Sequence, residues 1–397
     1  MSDTGVDPGE AAQSGSTRAP LGGGVERELG VKDDGQPGPL VLITAGLHGN
    51  EPAGVGAARR VLSELAGRPT AGRVVALAGN LAALARGERH GGQDLNRLWT
   101  EPRLTELLAQ DAAADTPDEA ELRDLHRIIQ DERRRARTAG RDVLLLDLHS
   151  TSAGGGPFSV VPDVLDSRRL ARAIGLPVVL GLEQRIEGPL LTWIVGQGEV
   201  GVVIEGGQHV DPRTEDVLAD ALRTALRYAG VTPPGERGAE EARARIEAIR
   251  GDVPPVLDMV YAHPLEAGDG FVMEPGWSNF RAVRSGQALG LQKGEVVQAP
   301  IDGYMLMPLY QGLGTEGFFL CEPVGRVWLG ASRLVRRLGL EFVLRVLPGV
   351  RAVRPGGDGV WCSAGASRRT EWWLALFGYR TPKAEGAQVL WTRRGNG

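Results

Sequence analysis

The stretch VLITAGLHGNEPAG, residues 41–54, combines the end of an apolar run, a turn and the start of another element. Its first residues are almost all apolar, which is typical of a strand buried on both faces of a parallel sheet. Three glycines permit a tight turn, and His48 and Glu51 stand three positions apart within it. Pro52 follows, and proline is favoured in the first turn of a helix. The stretch therefore predicts a strand–turn–helix unit with two metal-competent side chains in the turn.

The same alternation continues along the chain. Short runs rich in Val, Ile and Leu, each ended by glycine or a polar turn, predict strands within RVVALAG, DVLLLDLHS, PFSVVPD, PVVLG and VGVVIEGG. Helical patterns lie between them, at about 52–65, 103–137 and 212–228. Alternating strands and helices indicate an α/β fold with a mixed, mostly parallel sheet and helices on both faces.

The composition is that of an ordinary globular protein. Hydrophobic residues make up 42% of the 397 and charged residues 24%, and the net charge of −5 gives no electrostatic argument for a nucleic-acid partner. No apolar run of about 18 residues predicts a membrane-spanning helix, and no secretory signal is visible, so we expect a cytoplasmic protein with no membrane partner. The two cysteines, Cys321 and Cys362, exclude a disulfide framework and are expected to be buried thiols.

Changes in composition divide the chain into five predicted segments. Residues 1–36 are rich in Gly, Ser, Asp and Pro, and we expect a flexible tail because so few apolar side chains cannot offset the chain entropy. The α/β domain occupies 37–231, and the charged, proline-bounded segment 232–255 is predicted to be a linker with room for one solvent-exposed helix. Short β runs broken by glycines predict a small β domain at 256–324, followed by a tryptophan-rich extension of unknown role at 325–397.

Three strands of the α/β domain are followed by residues that can bind metals or transfer protons. His48 and Glu51 follow the first strand, His149 ends a second and Glu205 ends a third. In an open α/β sheet, ligands bind beyond the carboxyl ends of the strands. Two histidines and one glutamate are a ligand set of catalytic zinc that leaves a fourth position open. A histidine at a strand end is also a common polar cap, so these residues alone leave both a metal site and a structural role open.

Four motifs together resemble the succinylglutamate desuccinylase/aspartoacylase family of the zinc metallocarboxypeptidase clan. They stand in the family's order as GLHGNEPAG, RHGGQDLNR, LDLHST and VIEGGQHVDP, and the resemblance extends from about residue 39 to residue 324. It implies a zinc carboxypeptidase-like catalytic domain at 37–231. It also implies that the β domain at 256–324 has a barrel-sandwich shape and caps the site.

The resemblance implies roles for the residues that match the family's metal motif. His48, Glu51 and His149 would be the ligands of one zinc ion per chain. Asp147, two positions before His149, is expected to orient that imidazole or a neighbouring backbone group. Asp94 is expected to hold its own turn.

The resemblance likewise implies the residues that meet the substrate. Asn96 and Arg97 would grip its α-carboxylate, since a guanidinium binds a carboxylate through two parallel hydrogen bonds. Arg89 would polarise the scissile carbonyl, and Glu205 would be the general acid and base. The HGG that follows Arg89 departs from the aromatic–aliphatic pair usual in the family, so Arg86 is kept as the alternative.

The implied activity is that of a zinc-dependent hydrolase, a deacylase that cleaves the amide bond of a small N-acyl amino acid through a zinc-activated water. The partner would be that amino acid or a similar carboxylate, with Gln208 and His209 in its pocket. Alternatives are a metallocarboxypeptidase acting on peptides or cell-wall fragments, an ester-bond hydrolase using the same site, and a non-catalytic metabolite-binding protein. Glu205 argues against the last, because a binding protein needs no proton shuttle. The acyl group, the amino acid and the oligomeric state are left open.

Overall fold

The predicted α/β fold class is confirmed at the level of its architecture. A large, mixed central sheet is flanked by helices, and smaller antiparallel sheets lie toward the C-terminus. The computed structural model describes residues 24–182, 185–266, 268–310, 316–353, 359–363, 367–385 and 388–392.

The strands are numbered in chain order through the described residues. Their bounds are β1 Glu28–Asp33, β2 Leu40–Ala45, β3 Arg73–Ala78, β4 Val143–Thr151, β5 Phe158–Val161, β6 Val178–Leu180, β7 Val200–Gln208, β8 Val256–Pro264, β9 Val272–Met273, β10 Ala282–Val283, β11 Ala288–Gln292, β12 Glu295–Gln298, β13 Gly303–Leu306, β14 Glu316–Pro323, β15 Val350–Val353, β16 Gly359–Ser363, β17 Thr381–Glu385 and β18 Gln388–Thr392.

The central sheet has the spatial order β1-β3-β2-β4-β7-β5-β6-β8-β14-β13-β10. Strands β3, β2, β4 and β7 run parallel to one another, and β5, β6 and β8 form a second parallel group that runs antiparallel to β7. Strands β8, β14, β13 and β10 then continue the same sheet as antiparallel neighbours. Strands β9, β11 and β12 form a separate antiparallel sheet, and β15 to β18 form another.

The helices are also numbered in chain order. Their bounds are α1 Ala53–Leu65, α2 Leu81–Arg86, α3 Glu101–Ala109, α4 Pro117–Thr138, α5 Leu165–Ile174, α6 Leu190–Gly196, α7 Arg213–Tyr228, α8 Arg237–Arg250, α9 Arg326–Arg337 and α10 Arg368–Leu376. Through the part of the chain that the structure describes, none of these helices combines the length and apolar character needed to cross a membrane.

Hydrophobic cores cover both faces of the central sheet. Successive side chains of a strand point to opposite faces, and along β2 Val41 and Ile43 pack with residues of α1, α5 and α7. Leu40 and Leu42 pack on the other side, with residues of α3, α4 and α6. Strand β2 is therefore apolar at almost every position because both of its faces are buried.

Three local expectations differ from the structure. Strand β1 lies within the predicted flexible tail, because it pairs with β3 as the edge strand of the sheet and does not need a long apolar run. Residues 1–23 lie outside the described residues. The predicted helix at 103–137 is two helices, α3 and α4, since the Asp111 and Thr116 side chains cap a 3₁₀ turn and a new helix start. The predicted linker 232–255 contains α8, which buries Ala242 and Ile246 against the neighbouring α7.

Candidate active site

The carboxyl ends of the parallel strands β2, β4 and β7 bring the predicted metal and proton-transfer residues together. Strand β2 ends at Ala45, and the loop after it carries His48 and Glu51. His149 lies near the end of β4, directly opposite Glu205 of the adjacent β7. Parallel neighbours place their carboxyl ends on one edge of the sheet, so residues far apart in the chain share one site.

His48, Glu51 and His149 form a compact, buried group that could hold a metal ion. One ligand atom from each lies within 4.8 Å of the others. The Nδ1 atoms of both histidines face the same carboxylate, at 2.8 Å from Oε1 of Glu51 for His48 and 3.1 Å from Oε2 for His149. Two imidazoles and a carboxylate are donors that suit a divalent ion such as zinc.

Two aspartates hold the outward-facing nitrogens of these histidines. Nε2 of His48 lies 3.0 Å from Oδ1 of Asp94, and Nε2 of His149 lies 3.0 Å from Oδ2 of Asp147. Thr44 donates its hydroxyl hydrogen to the other oxygen of Asp147, at 2.6 Å. With a metal ion bound at the two Nδ1 atoms, each Nε2 would carry the single ring hydrogen and donate it to its aspartate, because a carboxylate only accepts hydrogen bonds.

The charges around the group also favour a cation at its centre. Burial raises the pKa of Glu51, but the charges of His48 and His149 outweigh burial and hold that pKa well below its usual range. Burial lowers the pKa of His149, and the charges of Asp147 and Glu51 outweigh it and raise the pKa well above its usual range. Three carboxylates thus surround two imidazoles, an arrangement that suits a bound divalent ion.

Glycines make the turn after β2 possible. Gly46 has φ +70°, in the left-handed region that favours glycine. A Cβ on Gly49 would lie 2.1 Å from the carbonyl carbon of Ala83, so only glycine fits at that position. The Gly49 N–H donates to the carbonyl oxygen of Arg89 at 3.1 Å, which ties the metal-binding turn to the loop that follows α2.

Arg89, and not Arg86, lines the cavity in front of the metal-binding group. Its Nη1 lies 4.0 Å from Oε1 of Glu51, and its Nη2 donates to Oδ2 of Asp94 at 3.0 Å. Arg86 instead forms an exposed ion pair with Glu88 at 2.7 Å. The structure therefore brings Arg89 to the predicted position and leaves Arg86 outside it.

Asn96 and Arg97 line the same cavity from the 3₁₀ turn at Leu95–Arg97. Asp94 starts this turn by accepting a hydrogen bond from the Asn96 N–H at 2.9 Å, so its expected structural role is present beside its contact with His48. The Asn96 side-chain oxygen accepts from the N–H of Leu190 at 3.0 Å, and Arg97 donates to the carbonyl oxygen of Asn96 at 2.9 Å. These bonds connect the turn to the start of α6.

Glu205 faces the cavity from the end of β7. Its Oε2 is buried and has no hydrogen-bond partner among the described residues. Burial is the main cause that raises the pKa of this carboxyl group, to about 8. A buried carboxyl group with an unused oxygen beside the metal-binding group is placed to exchange a proton with a bound molecule.

Of the two remaining predicted residues, only His209 reaches a cavity. Its Nδ1 lies 2.8 Å from the Ser150 hydroxyl, and burial lowers the pKa of the imidazole. The His209 side chain lines an outer cavity of about 370 Å³, which Arg89 also lines. Gln208 donates to the carbonyl oxygen of Ser152 at 3.2 Å and is not among the residues that line either cavity.

The inner cavity, which holds the metal-binding group and has a volume of about 90 Å³, has an apolar wall that no motif marked. It comes from two strands, one loop and one helix of the α/β part and from the residue after β13. Its residues are Val160, Leu182, Ile186, Pro189, Leu191, Val203 and Met307. Each is an ordinary core residue in the sequence, and only its contact with the cavity distinguishes it.

Fold and site together define an α/β protein with a buried His–Glu–His group that could hold a metal ion beside an unpaired carboxyl oxygen. Residues 37–229 match the family model described as the succinylglutamate desuccinylase/aspartoacylase catalytic domain, so the family resemblance inferred from the four motifs is confirmed for this segment.

Curated proteins similar to the chain are succinylglutamate desuccinylases. The protein from Pseudomonas paraeruginosa is 42% identical over 74 residues, which cover 18% of this chain and 21% of the relative. The protein from Pseudomonas putida is 47% identical over 62 residues, covering 15% of this chain and 18% of the relative. The chain thus aligns with about a fifth of the length of these relatives.

Solved structures extend the likeness to most of the fold. A succinylglutamate desuccinylase/aspartoacylase from Rhodobacter sphaeroides aligns with a TM-score of 0.52 and 20% identity, covering 73% of this chain and 87% of that one. A succinylglutamate desuccinylase from Vibrio cholerae aligns with a TM-score of 0.52 and 19% identity, covering 73% and 83%. At these identities the likeness concerns the fold.

Proposed function

We propose that the protein is a zinc-dependent deacylase that hydrolyses the amide bond of a small N-acyl amino acid. The observation that carries the proposal is the buried His48–Glu51–His149 group with the unpaired oxygen of Glu205 facing the same cavity. The match to the family's catalytic domain supports it. A bound zinc ion would supply Lewis acidity, which polarises a carbonyl and lowers the pKa of water.

The residues of the chain would divide the remaining work between binding and proton transfer. Arg97 and Asn96 would hold the substrate's carboxylate at the floor of the cavity. Arg89 would place positive charge beside the carbonyl oxygen, where negative charge develops in the transition state. Glu205 would remove a proton from the attacking water and deliver it to the leaving nitrogen.

The part of the chain at 256–324 would limit access to this site. Met307, directly after β13, lines both the inner and the outer cavity. His209 would contact the acyl part of the substrate in the outer cavity, and Gln208 would hold the loop at Ser152 that forms its wall. We propose that the zinc carboxypeptidase-like domain at 37–231 and the capping β region act together in this way.

Metal analysis combined with a substrate panel tests the proposal. Purified protein should contain about one zinc ion per chain, and removal by a chelator should abolish hydrolysis until zinc is restored. The panel should contain N-acetyl and N-succinyl amino acids, dipeptides and amino acid esters. Faster hydrolysis of N-acyl amino acids would support a deacylase, whereas a preference for dipeptides or esters would assign the alternative hydrolases. A zinc-loaded protein inactive on the whole panel would contradict the proposal.

A further inference from the structure

The apolar wall of the inner cavity lies where the released amino acid would place its side chain. Val203 stands two positions before Glu205 on β7, so both side chains point to the same face of the sheet. Leu191 follows Leu190, whose N–H is bound by the Asn96 side chain. The wall therefore continues directly from the proposed proton-transfer group and from the proposed carboxylate site.

The positively charged side chains that line this cavity can pair with only one carboxylate of a bound substrate. Besides the two metal-binding histidines, the charged nitrogen groups among its described lining residues are those of Arg89 and Arg97. Arg89 is already paired with Asp94 at 3.0 Å, whereas Arg97 forms no salt bridge among the described residues and donates to a backbone carbonyl. Once the α-carboxylate is bound at Arg97, a second carboxylate would face the apolar wall without a partner.

The burial of the wall residues defines which side chain this wall can accept. Val160, Leu182, Leu191 and Val203 are buried, so they form a fixed surface. A carboxylate moved from water to such a surface loses its hydration without gaining a partner, which is strongly unfavourable.

We propose that the released amino acid carries an aliphatic side chain and not an acidic one. The inference rests on the proposed deacylase function and adds its amino acid specificity. Val160, Leu182, Ile186 and Val203 are the residues that select this side chain, and the absence of a second unpaired cation among the described lining residues excludes glutamate and aspartate.

A substrate series with one constant acyl group tests the specificity. The N-acetyl derivatives of L-alanine, L-leucine and L-methionine should be hydrolysed with kcat/KM values roughly a hundredfold above those of N-acetyl-L-glutamate and N-acetyl-L-aspartate, because an unpaired buried charge is rejected far more strongly than a missing methylene. Equal or faster hydrolysis of the acidic derivatives would overturn the inference and leave the deacylase function intact.

Calorimetric binding of the free amino acids to the zinc-loaded protein separates failure of the specificity from failure of the function. Leucine and methionine should bind more tightly than glutamate. If leucine and methionine bind more tightly than glutamate but no N-acyl amino acid is hydrolysed, the proposed specificity is supported and the proposed deacylase function is wrong. If glutamate binds as tightly as leucine, or none of the amino acids binds, the specificity is wrong.

A charge introduced into the wall provides a second test. Ile186→Arg changes a half-buried loop residue of the cavity and should shift the preference by about tenfold or more toward N-acetyl-L-glutamate, since it supplies the missing cation. Leu291→Arg, which changes an exposed apolar residue of β11 outside the cavity, is the matched control and should keep the leucine preference. An Ile186→Arg protein that folds and keeps the original preference would contradict the assignment of the wall.

Discussion

At the scale of single residues, the orientation of the two histidines determines whether a metal ion can bind. In a metal-bound state each imidazole would be neutral, and the carboxylates of Asp94 and Asp147 would hold its one hydrogen on Nε2. Nδ1 then keeps its lone pair, and both Nδ1 atoms face Glu51. The aspartates would therefore act on a bound metal ion through the tautomer and the ring orientation of the histidines.

Replacing Asp147 should weaken metal binding without removing a ligand. In Asp147→Asn the amide no longer fixes the hydrogen on Nε2 of His149, and we expect zinc affinity to fall about 10- to 100-fold. Competition with a chromophoric chelator measures this. Asp166→Asn, which alters an exposed ion pair with Arg169, is the control and should retain the original affinity. Unchanged affinity in Asp147→Asn would show that the carboxylate does not orient the ligand.

Replacing Glu205 should separate metal binding from proton transfer. Glu205→Gln keeps the size of the side chain and removes its ability to take a proton, so kcat should fall by roughly 10²- to 10⁴-fold while the zinc content stays at that of the wild type. Steady-state kinetics and metal analysis of the same preparation measure both effects. Glu106→Gln, in an exposed ion pair on α3, serves as the control. Wild-type turnover in Glu205→Gln would assign the proton shuttle to another group.

At the scale of elements, the start of α4 holds the loop that carries Arg89. The Asp118 carboxylate accepts hydrogen bonds from the N–H groups of Gly91, Gly92 and Gln93, at 3.3, 2.7 and 2.9 Å, and from the Asn80 side chain at 2.9 Å. A Cβ on Gly91 would lie 3.1 Å from an oxygen of Asp118. Gly91, which departs from the family pattern, thus allows the backbone to approach this carboxylate closely.

Removing that carboxylate should disturb catalysis from outside the cavity. Asp118→Ala leaves three backbone N–H groups without their acceptor, and we expect kcat/KM to fall roughly 10- to 100-fold because Arg89 loses its fixed position. The effect should fall mainly on kcat, with the zinc content unchanged. Asp111→Ala, which removes the cap of the neighbouring exposed 3₁₀ turn, should leave kcat/KM unaltered. A kcat/KM of wild-type size in Asp118→Ala would show that the loop keeps its shape unaided.

At the scale of the whole molecule, one buried aspartate joins the C-terminal extension to the α/β part. Asp163, just after β5, accepts hydrogen bonds from Arg336 of α9, at 2.9 Å, and from Arg380, and it pairs with Arg168 of α5. Burial raises the pKa of Asp163, but the three guanidinium groups outweigh burial and hold the pKa well below its usual range. Arg380 also pairs with Asp258 of β8, so the cluster connects three parts of the chain.

Breaking this cluster should destabilise the protein in a pH-dependent way. Asp163→Asn leaves three buried guanidinium groups short of a counter-charge and should lower the free energy of unfolding by about 3–5 kcal/mol at pH 7. The unfolded aspartate takes up its proton near pH ~3.9, and the folded one only at lower pH. The stability that Asp163 contributes is therefore present above about pH 4 and is lost as the pH falls further.

Denaturant unfolding at several pH values measures this contribution. The difference in the free energy of unfolding between the wild type and Asp163→Asn should be largest near neutral pH. It should become smaller below about pH 4, since only the wild type loses the Asp163 charge. Asp252→Asn, in an exposed turn after α8, is the control and should have the free energy of unfolding of the wild type at every pH. A difference that is constant between pH 7 and pH 3 would mean that the charge of Asp163 is not what stabilises the cluster.

Local sequence patterns were sufficient for the strand–turn–helix unit, and together with the family resemblance they picked out the residues of the His48–Glu51–His149 group. The run at 40–45 reads as a strand because both faces are buried, and Gly49 marks a turn that no other residue could make. His48, Glu51 and His149 could be predicted together because parallel strands bring their carboxyl ends to one edge. The helices α5 and α6 and the strand β1 were not predicted, because each is stabilised mainly by contacts with elements distant in the chain.

Only the tertiary structure decided which ordinary residues surround the site and what holds the molecule together. Val160, Val203 and Met307 look like core residues in the sequence, and packing alone turns them toward the cavity. Asp163 meets Arg380 across 217 positions, a separation at which no local pattern signals a contact. Turn chemistry and side-chain periodicity act over a few residues and can be read directly, whereas the lining of a cavity depends on how whole elements pack.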